Sequence, residues 1–239
     1  MKKFYFDGKI ENEVVINDDQ FTHITKVLRL PILSQIILFN GDGYFYTCQI
    51  LKIEKKYLIA KVIAKTCCDN VTNNYITLFQ GIVKKPDNQT LIIQKMTELG
   101  LKKVVFFESD YTNVKLDNNK NNRLEKIVIE SCKQCGRADL LKIEQSKFDG
   151  VLMQLQEYDI VLFAYENERK KNLNEILNIC NNKKIALIVG SEGGFSQAEV
   201  NKLEQVGANV ITLGKTILRA ETAAIALASS VLCKLGEWQ

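Results

Sequence analysis

The sequence predicts an α/β protein in which a mostly parallel sheet, with helices on both faces, follows a small antiparallel β domain. Three observations lead to this fold class. Short alternating or apolar runs occupy residues 1 to about 68, strand and helix patterns alternate from Tyr75 onward, and two late strands end in glycine. Alternating strands and helices are typical of parallel sheets covered by helices.

Composition indicates a globular protein and leaves its partner open. The 239 residues are 46% hydrophobic and 25% charged, with a formal net charge of +4. That charge is too small to establish a nucleic-acid partner, but it is compatible with one if the basic residues cluster. No segment has the length and apolarity of a membrane span or secretory signal, so we expect a cytoplasmic protein without a membrane partner. The seven irregularly spaced cysteines indicate reduced thiols.

The first domain is expected to be a small sheet or barrel. One short helix is predicted to start near Asp18 or Asp19, to carry His23, Lys26 and Arg29, and to end before Pro31. Asn40 and Gly41 favour a tight hairpin. The candidate strands are Val14–Ile16, Gln35–Phe39, Tyr44–Ile50 and Tyr57–Ile63.

A polar stretch without periodicity, Thr66–Asn74, marks the predicted domain boundary, which gives domains 1–70 and 71–239. In the second domain, Asp87 is a candidate N-cap and Gly100 a left-handed stop for one helix. The candidate strands are Ile76–Ile82, Lys103–Glu108, Leu141–Glu144, Asp159–Tyr165, Lys184–Val189 and Asn209–Leu213.

Two further helices follow the late strands. Ser196 and Glu199 have the spacing of a capping box, which predicts a helix start directly after a glycine-rich turn. Free amides at such a helix start attract anionic groups. The last helix, Glu221–Cys233, is rich in small residues, which suits a crowded core or a helix pair across an interface.

The two late strand exits predict a ligand pocket. Gly190–Gly194 fits neither the Walker pattern nor the dinucleotide fingerprint, and alone it would be read as a plain turn. The next exit places Arg219 and Glu221 a few residues after Gly214. Two glycine turns in succession, with these charges, favour a pocket over plain turns.

Other candidate motifs carry less weight. Cys132 and Cys135 have the spacing of half a zinc site, but no second pair lies at a suitable distance, so we expect no metal. A lone histidine, His23, gives little support to histidine-based hydrolysis. Singly, Lys84 and Arg137 would be solvated surface, but near the glycine turns they would be placed to hold phosphates.

Taken together, the motifs resemble the RsmE family of 16S rRNA uracil-N3 methyltransferases, and the similarity covers nearly the whole chain. The two C-terminal motifs are specific in combination, and the earlier ones are supportive. The residues that carry the resemblance are His23 with Val27–Arg29, Lys95–Gly100, Gln134 with Arg137, Val189–Ser196, and Leu213–Gly214 with Ile217–Ala223.

The resemblance implies a PUA-like barrel followed by a SPOUT methyltransferase domain whose C-terminal loops form a deep trefoil knot. It implies S-adenosyl-L-methionine as cofactor, S-adenosyl-L-homocysteine as product, a homodimer, and a uridine of 16S rRNA in the small ribosomal subunit as substrate. Two alternatives stay open: a binding protein of the same fold that has lost catalysis, and a sister SPOUT enzyme acting on tRNA or a ribose hydroxyl. The N-terminal barrel and Leu218–Thr222 argue against the sister enzyme.

The chemistry of methyl transfer to uracil N3 leads to hypotheses about residue roles. Arg219 is expected to steady charge on a uracil carbonyl oxygen or to grip a phosphate, and Glu221 to orient Arg219 or remove the proton, for which Glu192 is an equal candidate. Predicted RNA contacts are Arg29, Lys84, Gln134 and Arg137. Predicted cofactor contacts are Leu187, Val189, Gly190, Glu192, Gly193, Gly194, Leu213, Gly214, Ile217, Leu218 and Ala223.

The sequence departs from the family pattern at four places. Ser191 stands where the family often has proline, Lys215–Thr216 replaces Pro-Arg, and Pro31–Ser34 stands where Gly-Asp is common. Asp110–Thr112 replaces Glu-Arg-Ser, so one expected basic RNA contact is absent. None of these changes affects Arg219, Glu221 or the paired glycines.

Overall fold

The computed structural model describes residues 1–69, 72–112, 114, 121–168, 171 and 173–237. The chain divides into two compact units, Met1–Val71 with Cys132–Leu140 and Thr72–Ser131 with Leu141–Gln239. The grouping of Cys132–Leu140 with the first unit was not foreseen from the sequence. The continuous division into domains 1–70 and 71–239 stays a prediction.

The first unit is built on a five-stranded sheet in the order β1-β3-β4-β5-β2. Strands β1 and β3 are parallel and the other neighbours are antiparallel. Alternating apolar side chains of these strands form one buried cluster, as their period-two pattern predicts. The strands are β1 Lys3–Tyr5, β2 Glu13–Ile16, β3 Gln35–Phe39, β4 Tyr44–Ile53 and β5 Leu58–Cys67.

The predicted short helix is present as α1, Asp18–Thr22, which continues into a π-helical turn, His23–Val27. His23 and Lys26 therefore lie on it, but the placement of Arg29 on the helix was wrong. Arg29 follows the helical turn with a φ of 51°, in the left-handed region. Leu30 directly precedes Pro31, and a proline disfavours helical geometry in the residue before it. The chain therefore leaves the helix before Leu30.

The second unit is a six-stranded parallel sheet in the order β11-β9-β10-β6-β7-β8. Each strand overlaps its predicted counterpart, and β7 and β10 match at both ends. The strands are β6 Tyr75–Gly81, β7 Lys103–Glu108, β8 Lys142–Lys147, β9 Ile160–Ala164, β10 Lys184–Val189 and β11 Asn209–Ile211. The helices are α2 Pro86–Glu98, α3 Asn121–Cys135, α4 Phe148–Leu155, α5 Leu173–Ile176, α6 Gln197–Gln205 and α7 Ala220–Lys234.

The sheet of the second unit is covered by helices. Buried residues of α4 and α6, including Val151 and Leu203, form one cluster with alternate sheet residues such as Phe79 and Ile188. Helix α7 contacts β6, β10 and α2. Its small residues, among them fully buried Ala224 and Ala228, permit this close packing. This packing confirms the crowded core as one role of the small residues, and the helix pair across an interface stays a prediction.

Helix starts show one error and one success of local sequence patterns. The N-cap of α2 is Lys85, and Asp87 lies inside the first turn. Pro86 takes the first helical position, where its missing N–H costs nothing, so the predicted Asp87 cap was wrong. The capping box of α6 is confirmed: Ser196 Oγ accepts from Glu199 N at 3.2 Å and Glu199 Oε2 accepts from Ser196 N at 2.9 Å.

The cysteines of the chain are free thiols. Burial raises the pKa of Cys48 to about 11 and that of Cys132 to about 12, which keeps both thiols protonated. The described residues contain no cluster able to hold a metal ion. Among those same residues, none of the helices has the length and apolarity needed to cross a bilayer. The trefoil knot implied by the resemblance stays a prediction.

Candidate active site

A cavity of about 680 Å³ lies where strands β6, β9, β10 and β11 end. Its walls follow the carboxyl ends of these four neighbouring strands and include the start of α7. Carboxyl ends of parallel strands share one edge of a sheet, which is where ligands of such sheets bind. The volume is within the roughly 300–1,000 Å³ of small-molecule sites.

One wall is the β10 turn, Gly190–Phe195, which is tied to the exit of β6. Gln80 Nε2 donates to Gly190 O at 2.9 Å, and Lys84 N donates to Glu192 Oε1 at 2.9 Å. Within the turn, Gly194 N donates to Ser191 O at 3.0 Å. These bonds hold the start and the middle of the turn.

Close backbone approach explains the glycine at the end of β6. A Cβ added to Gly81 would lie 2.3 Å from Ser191 N and 2.7 Å from Gly190 C. Both neighbours are backbone atoms that cannot rotate aside. Gly81 therefore lets the two strand exits meet, and the β10 turn is seated directly on it.

The opposite wall is the β11 turn, Thr212–Arg219, whose first residue donates from Thr212 N to Lys171 O at 2.9 Å. Thr212 Oγ1 accepts from Gly214 N at 3.2 Å and donates to Gly214 O at 3.1 Å. Gly214 has a φ of +128°, and a Cβ added there would meet nothing within 4 Å. Ile217 lines the cavity with 77% of its side chain exposed. This wall presents apolar surface that is still in contact with water.

Arg219 and Glu221 both line the cavity, as predicted from the sequence. Arg219 is the N-cap of α7 in extended geometry and is exposed. Glu221 lies in the first turn of α7 and is only 8% exposed. Within the described part of the chain, no group donates a hydrogen bond to the Glu221 carboxylate. A helix N-terminus favours the negative charge of such a carboxylate.

All the predicted cofactor contacts line the cavity except Leu187. Leu187 lies inside β10, paired with Leu78 and Leu162, and is fully buried. Its side chain belongs to the core, because it lies two residues before the strand end and so below the cavity edge. The sequence analysis missed three lining residues at the exit of β9, namely Ala164, Tyr165 and Glu166. The sequence could have indicated them, because a strand was predicted to end at Tyr165 and ligands bind at strand ends.

The predicted RNA contacts have different environments. Lys84 is exposed and lines the cavity. Arg29 and Gln134 belong to the first unit, where Gln134 is exposed. Arg137 is 2% exposed, and its guanidinium donates to both carboxylate oxygens of Asp139, at 2.8 and 2.9 Å. A buried two-bond ion pair leaves no surface for a phosphate, so the structure contradicts the contact predicted for Arg137.

The sequence matches two family models, an RNA methyltransferase domain over residues 71–232 and an RNA methyltransferase PUA domain over residues 16–63. The ribosomal RNA small subunit methyltransferase E of Buchnera aphidicola subsp. Schizaphis graminum is 31% identical over 95% of this chain and 93% of that protein. The protein of the same name from Bacillus subtilis is 28% identical over 90% and 88%.

Solved structures agree with these matches. The Neisseria gonorrhoeae ribosomal RNA small subunit methyltransferase E bound to S-adenosyl methionine superposes with a TM-score of 0.85, at 28% identity over 98% of this chain and 97% of that one. A Legionella pneumophila methyltransferase in complex with the same cofactor has a TM-score of 0.84, at 26% identity over 97% and 96%. The chain therefore belongs to the ribosomal RNA small subunit methyltransferase E family.

Proposed function

We propose that this protein transfers a methyl group from S-adenosyl-L-methionine to N3 of a uridine in 16S rRNA of the small ribosomal subunit, with S-adenosyl-L-homocysteine as product. The observation that carries the proposal is the cavity between the β10 and β11 turns, which has Arg219 and Glu221 at its edge. The family membership and the cofactor named for two structural relatives support the same activity.

The residues of the cavity fit this cofactor. An adenosine needs apolar surface and backbone partners, which Val189, Leu213 and Leu218 and the two glycine turns offer. A Cβ added to Gly190 would lie 3.0 Å from the Phe195 ring, so the glycine lets the turn pack against that ring. Gly193 and Gly194 line the cavity and carry no side chain that could cover the backbone groups of this turn. The bound cofactor supplies an electrophilic methyl group on a positively charged sulfur.

In this proposal Arg219 stabilises the uracil as its imino proton leaves. Negative charge then develops on the carbonyl oxygens beside N3, and an exposed guanidinium at the cavity edge is suited to donate hydrogen bonds to one of them. Holding the base and the methyl donor in one cavity supplies a further part of the rate, roughly 7–11 kcal/mol in favourable cases.

We assign the proton acceptor to the Glu221 carboxylate in preference to Glu192. Glu192 is exposed, and its Oε1 already accepts the Lys84 amide at 2.9 Å. That bond fixes the β10 turn, which is a positioning role. Glu221 is buried at the cavity and lacks a donor among the described residues, so its carboxylate is available to take the N3 proton.

The test is methylation of small subunits purified from cells that lack this protein, followed by mass spectrometry of the 16S rRNA. Arg219→Ala is expected to lose at least about 100-fold in rate, the usual loss for a group that stabilises developing charge. Its affinity for S-adenosyl-L-methionine, measured by calorimetry, should stay within a few-fold. Lys202→Ala, an exposed cation on α6, is the control and should behave as wild type.

Three results would contradict the proposal. Full activity in Arg219→Ala would remove this residue from catalysis. A wild-type protein that binds RNA but not S-adenosyl-L-methionine would indicate a pure binding module. Methylation of tRNA or of a ribose hydroxyl, in place of uracil N3, would indicate a sister enzyme.

The remaining parts of the proposal concern assembly and docking. We propose a cytoplasmic homodimer, which sedimentation equilibrium can test. We also propose that Arg29 and neighbouring lysines of the first unit contact rRNA phosphates. Such binding weakens as salt is added, because bound counterions are released. Binding that does not change with salt would contradict this role.

A further inference from the structure

The short β7 loop, Ser109–Thr112, presents an exposed aromatic side chain next to the cavity. Tyr111 is 53% exposed. Single exposed aromatics are common on protein surfaces and need no explanation by themselves. The way in which this one is held distinguishes it.

The β7 loop is closed on itself by three hydrogen bonds. Thr112 N donates to Ser109 O at 2.9 Å, and Ser109 N donates to Thr112 Oγ1 at 3.1 Å. The hydroxyls of Ser109 and Thr112 lie 3.0 Å apart and share a third bond. A loop closed in this way restricts the backbone that carries Tyr111.

The β7 loop is also attached to the start of α6, directly after the β10 turn. Asp110 N donates to Glu199 Oε1 at 2.9 Å, and Ser196 Oγ donates to Asp110 Oδ2 at 2.5 Å. Glu199 and Ser196 are the two members of the α6 capping box. The same two side chains that cap the helix therefore hold Asp110, the loop residue directly before Tyr111.

Gly193 explains how close Tyr111 lies to the cavity wall. A Cβ added to Gly193 would be 2.8 Å from Tyr111 Cβ and 3.1 Å from Tyr111 O. The backbone of Gly193 is not in the left-handed region, unlike that of Gly194 with a φ of +70°, so its conformation does not require glycine. The close approach of Tyr111 does require it.

The wall that Tyr111 packs on is bonded to a basic strand exit. Lys84 N donates to Glu192 Oε1, next to Gly193, and the exposed cations Lys84 and Lys85 line the cavity together with the exposed carboxylates Glu166 and Glu192. Cations that follow the phosphates, combined with flat side chains on which bases stack, are typical of sites for single-stranded nucleic acid. A loop whose backbone is already ordered is favourable there, because less conformational freedom is lost on binding.

We infer that Tyr111 stacks on a base of the RNA substrate that flanks the target nucleotide. The flanking position follows from its place, since Tyr111 packs on Gly193 and is not among the residues that line the cavity. Tyr111 is then a substrate-binding residue with no part in holding the cofactor. This inference rests on the proposed function, and it adds a specific contact to it.

The test compares Tyr111→Ala and Tyr111→Phe in steady-state methylation of purified small subunits. Loss of one stacked base corresponds to a KM for the subunit raised about 5- to 150-fold in Tyr111→Ala. The kcat and the affinity for S-adenosyl-L-methionine should stay within about two-fold, because the cavity itself is unchanged. Tyr111→Phe should restore the wild-type KM, since the ring is retained.

Tyr75→Ala is the matched control. Tyr75 is a partly exposed tyrosine of the same unit, at the amino end of β6 and so at the opposite edge of the sheet from the cavity. Its KM should equal that of the wild type. Melting curves of all variants show whether any of them has lost its fold.

Three outcomes would overturn the inference. An unchanged KM in Tyr111→Ala would show that the ring does not contact RNA. An equal rise in Tyr111→Phe would assign the effect to the hydroxyl. Weaker cofactor binding in Tyr111→Ala would show that the loop acts on the cavity wall. Filter binding of each variant to small subunits needs no methyl transfer, so it tests the contact even if the wild type proves inactive.

Discussion

The two turns that wall the cavity differ in how firmly they are held. The β10 turn is bound to Gln80 and Lys84, sits directly on Gly81, and is packed by Tyr111. Among the described residues, the β11 turn has one bond from Thr212 N to Lys171 O and a local Thr212–Gly214 bond pair, with open space beside Gly214 and a largely exposed Ile217.

This difference predicts that the two walls have different roles in binding. A turn that is packed on backbone and bonded to a neighbouring strand exit opens only at a high free-energy cost, whereas one with exposed residues opens more readily. We expect the β10 turn to serve as a fixed template and the β11 turn to adjust around the ligand. Substitutions in the two walls should therefore separate stability from binding.

The largest effect is expected for Gly81→Ala. The new Cβ would meet the backbone of Ser191 and Gly190 at 2.3 and 2.7 Å, and overpacking against atoms that cannot move should cost at least about 3 kcal/mol of unfolding free energy. Gly214→Ala is the counterpart in the other wall. It meets no atom within 4 Å, so only its left-handed backbone is strained, at about 1–2 kcal/mol. Urea unfolding of both variants measures the difference, and equal losses would contradict the comparison.

A smaller effect is expected for Gln80→Leu. The substitution removes the donor shared by Gly81 O and Gly190 O, at 3.0 and 2.9 Å, and loss of a buried donor costs about 1–3 kcal/mol. Gln80 Oε1 is itself buried without a partner among the described residues, so its removal offsets part of the loss. Gln197→Leu on the surface of α6 should change the unfolding free energy by less than about 0.5 kcal/mol. If Gln80→Leu is as stable as this control, the β10 turn is not held by Gln80.

The smallest effect on stability is expected for Ile217→Ser. Because Ile217 is 77% exposed, its loss should change the unfolding free energy by less than about 0.5 kcal/mol. The affinity of the Ile217→Ser variant for S-adenosyl-L-methionine should fall about ten-fold, since the apolar surface of Ile217 would be buried only when the ligand binds. Ile179→Ser is matched at 75% exposure outside the cavity. Calorimetry that finds equal affinity in the two variants would remove Ile217 from the binding wall.

The sequence predicted those features that depend on neighbours along the chain. Buried parallel strands appear as short apolar runs, and the α6 capping box needs only Ser196 and Glu199, so both were found. Contacts between distant segments carry no such pattern. The Lys84–Glu192 bond joins residues that are 108 positions apart, and neither residue type requires the other.

Arg137 shows a different limit. Its charge suggested a phosphate contact, but Asp139 lies two positions away and accepts two hydrogen bonds from the buried guanidinium. An acidic residue nearby in the sequence does not show whether the pair is buried or exposed, and burial is what decides the role. The grouping of Cys132–Leu140 with the first unit was also missed, because contacts between segments far apart in the chain leave no local pattern.

The strand order has a consequence for how the protein is made. Strand β6 ends at Gly81, but its central neighbour β10 begins only at Lys184. At roughly 5–20 residues per second of synthesis, one edge of an apolar strand waits about 5–20 seconds for its partner. During that interval the nascent chain exposes an unpaired edge of the kind that aggregates. The yield of folded protein should therefore depend on chaperones and on a low growth temperature more strongly than the stability of the finished sheet would indicate.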